Sequence, residues 1–565
     1  MAGRPKSHFS FWLEIVAALW RRAMAPLRIL WRRSWFYRLL LRGRMPARIA
    51  FHPTDFSLRR LEQADALLRG RFRFAGETVD LREGTIFDAA APSLAWAEAL
   101  HGFDWLPPLA SAGGEPARVL ATNLIGQWLR QYARYSEPAW RADVLARRLT
   151  NLFAHTRFVF PKADVMWRSK LLVSLREQSR MLARISREAP DGAPRLEAAG
   201  GHALSGICLE DSAQRLASGL ARLQQECERQ ILPDGGHMSR SPRALLEAYR
   251  QLAMLNQSLV ATGRALPPEL QEVQERMGAM LRFFRLGDGT LALFNGGGEG
   301  NAKLLAHLLT RDQVRAQPSG SAPDSGYQRL VAARSIVVMD CGTFPPGAVA
   351  RSAHAGCLAF EFSTAHQRIV VNCGAAPEDP RWSAALRQTA AHSTITLGER
   401  SVGAVLSGRL AGLLGPRLAG GPSAVPTHRQ ETSEGWTVEA SHDGYLAAFG
   451  IVHERRLTLS SNGRMLSGSD RLLSRGGRRS RQAVPFAARF HIHPDVRASG
   501  SYGRDVLLKL PSGDGWRFQA TGGETSVARS VYLGGDALRH CDQLVVSGSL
   551  GNEPIELAWS FERIG

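Results

Sequence analysis

At 565 residues the chain exceeds what one hydrophobic core supports, since single cores stop growing at roughly 250–300 residues, so two large domains are expected. Hydrophobic residues at 44% and charged residues at 22% exclude a disordered or fibrous chain. The net charge of +20 points to a polyanionic partner: nucleic acid, anionic lipid or acidic polysaccharide.

Half of that charge lies at the start of the chain. Residues 1–50 hold 11 Arg and Lys against a single acid, Glu14. Residues 8–45 predict a basic amphipathic helix in which Trp12, Trp20, Trp31, Trp35, Phe36 and Tyr37 are interleaved with arginine. No stretch reaches the roughly 18 consecutive apolar residues of a membrane span. The positive charge follows the apolar run, whereas a secretory signal places it before. Two readings of this arm stand: a helix lying on an anionic membrane surface, or a helix packed on its own domain with a solvated arginine face. Arginine suits bidentate contact with carboxylate, sulfate or phosphate, although GC-rich coding accounts for most of its excess over lysine.

Residues 90–310 predict helices. Apolar residues recur at helical spacing in 117–132, 143–156, 171–188, 213–231, 243–262 and 269–284, with Pro- and Gly-bearing loops between. Repeated antiparallel pairs of this length predict an α/α toroid, an incomplete barrel. Residues 310–326 predict a linker. Beyond it the period changes to short β-rich runs, from 334–340 to 543–548, with Asn462-Gly463 as a hairpin turn. These predict an antiparallel β-sandwich. The expected class is therefore α+β multidomain: an arm over 1–50, a helical toroid over 51–310 and a sandwich over 325–565. The six cysteines form no CxxC pair and predict neither a disulfide framework nor a Cys-based zinc site.

Three stretches carry a family resemblance: Ala353-His354-Ala355-Gly356-Cys357-Leu358-Ala359-Phe360-Glu361-Phe362, then Arg368-Ile369-Val370-Val371-Asn372-Cys373-Gly374, then Ala391-His392-Ser393-Thr394. In this order they resemble the sandwich domain of heparinase II/III proteins, in its uncharacterised bacterial branch. The resemblance implies a polysaccharide lyase-like protein of the cell envelope, or one in the cytoplasm peripheral to the inner membrane. It also implies a structural zinc site at His354, Asn372 and His392, with His354 and His392 as the metal-binding pair. Asn372 stands where relatives carry Asp, Gly356 where they carry the Asp of His-x-Asp, and Ser352 where some carry a catalytic His. A neutral amide oxygen is a poor zinc ligand, and the competing reading has both histidines hydrogen-bonded within the sandwich.

In the helical region, Asp234-Gly235-Gly236-His237-Met238-Ser239-Arg240-Ser241-Pro242 resembles the family's Asp-Gly-x-x-x-Glu-x-Ser-Pro segment. Relatives often place a catalytic Tyr two residues after the Pro; Ala244 sits there, and Tyr249 lies further on. His202 matches an Asn-His site whose Asn is Gly201 here. β-Elimination beside a uronate needs a carboxylate neutraliser, a base for the C5 proton and an acid for the leaving oxygen. His237, His202, Arg240, Tyr249 and His354 are the candidates. The Gly235-Gly236 pair before His237 leaves room for a ligand; alternatively His237 joins Ser239 and Ser241 in capping the next helix. His491-x-His493 is a second pair on one strand face, for which a structural role is expected. The Gly-rich run 295–300 lacks the Lys-Ser/Thr of a phosphate loop.

The expected function is thus carbon–oxygen lyase chemistry on an acidic, uronate-containing polysaccharide. The alternative is a catalytically inactive acidic-glycan-binding or envelope-assembly protein with the same fold. Nucleic acid is not expected as a partner, because no recognised nucleic-acid module appears and the charge concentrates in the arm.

Overall fold

The computed structural model describes residues 8–43, 48–56, 61–81, 83–161, 163–210, 213–311, 316–376, 379–475, 483–500, 505–535, 537–551 and 554–564. Residues 44–47 of the basic arm and 312–315 of the expected linker lie outside these, as do Arg4 and Lys6. The chain divides into two compact units. One comprises Phe11–Gln230 and Glu247–Gln274, and the other gathers residues 8–10 with Ile231–Leu246 and Glu275–Gly565.

The first unit is helical. The single helix expected over 8–45 is two: α1, His8–Arg33, and α2, Trp35–Leu41. They part at Ser34, whose hydroxyl accepts from the Tyr37 N–H at 3.2 Å and so caps α2. The other runs with helical spacing form helices with boundaries shifted by a few residues, among them Ala142–Val159, Val165–Ile185 and Ala213–Gln230. A helix over Ala193–Cys208 was not expected, because glycines 200, 201 and 206 weaken the local preference. Packing overrides it. A Cβ on Gly201 would lie 2.8 Å from the Ala146 Cβ, and one on Gly206 2.4 Å from the Leu216 backbone nitrogen. Only glycine lets this helix lie so close to both neighbours. No described helix is long and apolar enough to cross a membrane.

α1 rests on its own unit by an unusual side. Ala18 is buried and Ile15, Ala25, Arg28, Ile29 and Arg32 are half-buried. Arg32 pairs with Glu188, and the Arg33 Nε donates to the Tyr135 carbonyl at 3.2 Å. Trp12, Leu13, Val16, Leu19, Trp20, Leu27, Leu30 and Trp31 are all exposed. At 3.6 residues per turn they fall within an arc of roughly 120°. The helix packs on its domain, as one of the two readings of the arm expects, but the face left open is the apolar one.

The second unit carries an antiparallel sandwich. One sheet has eight strands, in the order 427–432, 435–442, 451–460, 465–474, 555–564, 515–521, 505–509 and 497–500. The other has nine. Its main path runs 524–532, 539–550, 484–492, 367–371, 360–364, 335–340, 327–332 and 321–322, and Ile395–Leu397 pairs beside Val484–Ile492. Inward residues of both sheets form one core, with Phe360, Phe362, Phe490, Trp516, Phe518, Trp559 and Phe561 at its centre. Gly463 takes φ 66° in the expected hairpin between Ile451–Ser460 and Met465–Ser474.

Candidate functional site

The segment 231–246 belongs to the unit that carries the sandwich, and Asp234 and Arg240 tie it there. Asp234 accepts from the Gly236 N–H at 3.0 Å, from the Ser325 N–H at 2.6 Å and from the Ser325 hydroxyl at 2.7 Å. The room expected beside the glycines is taken. A Cβ on Gly236 would lie 1.8 Å from the Ser325 Oγ, and one on Gly235 2.2 Å from the Arg276 carbonyl oxygen. The chain itself, not a ligand, makes the close approach.

His237 is buried, and burial lowers its pKa to about 4. The Ser239 N–H donates to its Nδ1 at 3.1 Å, with the Ser239 hydroxyl 2.7 Å from the same nitrogen. The neutral ring therefore carries its proton on Nε2. Ser241 closes the start of the helix Pro242–Ala261, accepting from the Ala244 N–H at 3.5 Å.

Arg240 adopts φ 58°, a left-handed conformation costly for a residue with a Cβ. It is held there from both ends. The Tyr327 hydroxyl donates to its carbonyl at 2.7 Å. Its Nε donates to the Ser325 carbonyl at 2.7 Å, Nη1 to the Thr343 carbonyl at 2.8 Å and Nη2 to the Gly326 carbonyl at 3.1 Å. Nη2 also pairs with Asp340. Burial works against the charge, but Asp340 raises the Arg240 pKa above its ordinary value. The guanidinium is thus a buried strut with four of its five N–H donors in use.

Asn295 links this strut to the histidine pair. Its amide donates to the Tyr327 hydroxyl at 2.8 Å, and its oxygen accepts from the His354 N–H at 3.1 Å. The His354 Nδ1 lies 3.2 Å from the His392 Nε2. The His392 Nδ1 donates to the Gln388 carbonyl at 2.9 Å, which leaves its Nε2 as the acceptor of that pair. Burial holds both rings neutral: His354 is shifted well below its ordinary value and His392 to about 4. Gly356 lies directly beneath, and a Cβ there would come 2.7 Å from the His392 ring.

The other candidates lie in the helical unit. His202 is buried in Ala193–Cys208, 3.3 Å from the Ser218 hydroxyl, and burial lowers its pKa to about 4. Tyr249 is fully buried. The structure therefore gathers His237, Arg240, His354 and His392 in one unit and places His202 and Tyr249 in the other.

Residues 314–560 match the Heparinase II/III-like, C-terminal family. FtsZ-localized protein C of Caulobacter vibrioides is 32% identical over 548 residues, covering 95% of this chain and 94% of that protein. The chain belongs to the heparinase II/III-like family. Among solved structures, heparinase III matches with a TM-score of 0.72 at 13% identity, over 95% of this chain and 92% of that one. A mutant of the heparan sulfate lyase HepC from Pedobacter heparinus matches with a TM-score of 0.60 at 15% identity, over 94% of this chain and 87% of that one. The fold is accordingly that of the heparinase-type lyases, a helical toroid followed by a β-sandwich.

In this heparinase II/III-like chain the donor set for a structural zinc is incomplete. A structural site wants four ligands, and no group of three or more His, Cys, Asp or Glu that could hold a metal ion occurs among the described residues. The Asn372 oxygen accepts from the Ser393 N–H at 3.0 Å, and its amide donates to the Glu361 Oε1 at 3.2 Å. An Asp at 372 would face Glu361 as a second carboxylate. The neutral amide fits the scaffold that is present, and two imidazoles do not make a closed site. His491 is likewise engaged, its Nε2 3.0 Å from the Ala390 carbonyl and its Nδ1 2.8 Å from the Ser530 hydroxyl.

Glu361 and Arg368 escaped the sequence reading, although both sit in the quoted stretches. Arg368 pairs with Asp288 at 2.8 Å and Glu361 at 3.4 Å, all within the second unit. Burial pushes the Glu361 carboxyl up to about 7 against the pull of Arg368. An unfolded Glu titrates at about 4.3. Between those values the folded state keeps a proton that the unfolded state has lost. Stability should therefore fall as pH rises from about 4.3 to about 7 and level off above. Glu361→Gln keeps an oxygen for the Asn372 N–H groups and removes the titration. Denaturant unfolding at about pH 5 and about pH 8 should show a decline smaller by roughly 2–3 kcal/mol in the variant. An equal decline in both proteins would assign the effect to other groups.

Proposed function

We propose that this chain is an envelope-assembly protein: a lyase-type body, docked on an anionic membrane surface, that binds acidic polysaccharide without cleaving it. The observation that carries the reading is the commitment of Arg240. A residue that neutralises a substrate carboxylate needs free donors, whereas this guanidinium is bonded to Ser325, Gly326, Thr343 and Asp340. His237 is buried with a pKa of about 4, too low for a strong general base at neutral pH. The open apolar face of α1 supports the membrane arm, since tryptophan and leucine on one side with arginine on the other suit the lipid interface. Kinship with FtsZ-localized protein C supports a place at the division site of the cell envelope.

The second reading is β-elimination on a uronate-containing polysaccharide, with His237, Arg240 and His354 of the one unit in the reacting roles. The match to heparinase III over nearly the whole chain favours it. Ultraviolet absorbance of the unsaturated uronate end, followed over a panel of acidic polysaccharides, separates the two. The assembly reading expects no rise, together with saturable, salt-sensitive binding to at least one glycan. A rise that His237→Ala abolishes in folded protein would establish the lyase instead.

A further inference from the structure

One helix of the helical unit gathers arginines, and the acid among them, Glu177, is drawn towards Arg38 and Arg42. Arg176, Arg180 and Arg184 follow one another at four-residue spacing along Val165–Ile185, and so form one stripe. Arg215 on Ala213–Gln230 joins them: burial, then the charges of Arg176 and Arg180, lower its pKa to about 10. Arg180 is lowered in turn by burial and by Arg176 and Arg184. The charges that act on Arg180 and on Arg215 are arginines alone. The Arg176 Nε and Arg215 Nη1 are buried N–H groups with no hydrogen-bond partner. Like charges held this close repel one another and leave donors unmet, unless an anion arrives.

The stripe begins where the apolar face of α2 ends. The Arg184 Nη2 donates to the Leu40 carbonyl at 3.1 Å and the Arg180 Nη1 to the Leu41 carbonyl at 3.4 Å. Trp35, Phe36, Leu39 and Leu40 of α2 are exposed. An apolar face bordered by cations is the order met on entering a bilayer, with acyl chains first and phosphates at their rim. We propose that Arg176, Arg180, Arg184 and Arg215 form a binding band for the phosphodiester headgroups of an anionic membrane, which orients the helical unit on the surface. This rests on the membrane-docking reading above and adds to it a lipid preference and the residues that impose it.

The test compares full-length protein on phosphatidylcholine vesicles and on vesicles containing phosphatidylglycerol. The double variant Arg176→Gln, Arg215→Gln removes two cations that make no described hydrogen bond, so its melting temperature should stay level or rise. Binding to the anionic vesicles should weaken roughly 20- to 30-fold, at about five-fold per arginine, and binding to the neutral vesicles should not change. The unaltered protein should itself lose its anionic preference as salt rises, a measurement independent of any variant. Equal binding of the unaltered protein to both vesicles would overturn the headgroup band and leave the docking of α1 standing. No binding to either would overturn both. Unchanged vesicle binding by the variant, with lost affinity for a glutamate-rich peptide, would give the stripe to a protein partner and also overturn the proposal.

Discussion

Replacing Trp12, Trp20 and Trp31 together by serine should lower binding to phosphatidylglycerol-containing vesicles by a factor on the order of 10²–10⁴ while leaving the fold intact. Fully burying a large apolar side chain gains about 1.5–3 kcal/mol. At a bilayer interface, where one ring edge stays wet, about 1–2 kcal/mol each is reasonable. Three such losses sum to about 3–6 kcal/mol, and each 1.4 kcal/mol is about ten-fold in partition. The fold should be indifferent, because these rings are 62%, 67% and 53% exposed and α1 is held by its opposite side. Vesicle sedimentation reads the partition and thermal unfolding reads the fold. Undiminished sedimentation of a folded triple variant would rule out membrane docking through α1 and assign the open face to a protein partner. The contrast with the arginine band is qualitative: the tryptophan variant should leave neutral and anionic vesicles alike, the arginine variant only the anionic ones.

What the sequence disclosed divides along the range of the forces involved. Period and turn chemistry act locally, so the helices of the toroid and most strands of the sandwich could be read in order. The helix Ala193–Cys208 could not, because its glycines serve the close approach of Ala146 and Leu216, and that contact is invisible within the segment. The strand Met465–Ser474 could be read as the far arm of the hairpin but not bounded, for a related reason. Its inward Asp470 is fully buried, and reads as a loop residue until Arg455, at 2.7 Å, and His453, at 2.7 Å, are seen to enclose it. The same holds for the candidate site. Motif comparison singled out His237, Arg240, His354, Asn372 and His392, but not what they touch. Asp340, a hundred residues from Arg240, closes an apolar strand as an ordinary terminal acid would. Asn295 sits in the glycine-rich run that reads only as lacking the features of a phosphate loop, yet it joins Tyr327 to His354. Chemistry-bearing residues can be recognised by type; whether they are free to react depends on distant partners.

Arg240→Ala is accordingly expected to destabilise the unit that carries the sandwich by about 3–5 kcal/mol, the cost of breaking a buried ion pair by removing one partner. Three effects contribute. Asp340 is left buried without its counter-charge, the carbonyls of Ser325, Gly326 and Thr343 lose their donors, and the stacking of the guanidinium over the Tyr327 ring at 4.8 Å is lost. Arg240→Met combined with Asp340→Leu removes both charges and keeps most of the volume. Replacement of a whole buried pair is often close to neutral, so the double variant should recover a large part of the loss, a coupling that denaturant unfolding of the four proteins measures directly. A residue whose role were to grip a substrate carboxylate would behave differently. Its alanine variant would keep the unfolding midpoint and lose glycan affinity, and the double variant would recover nothing. That outcome would return Arg240 to the reacting groups and, with it, restore β-elimination as the better reading of the site.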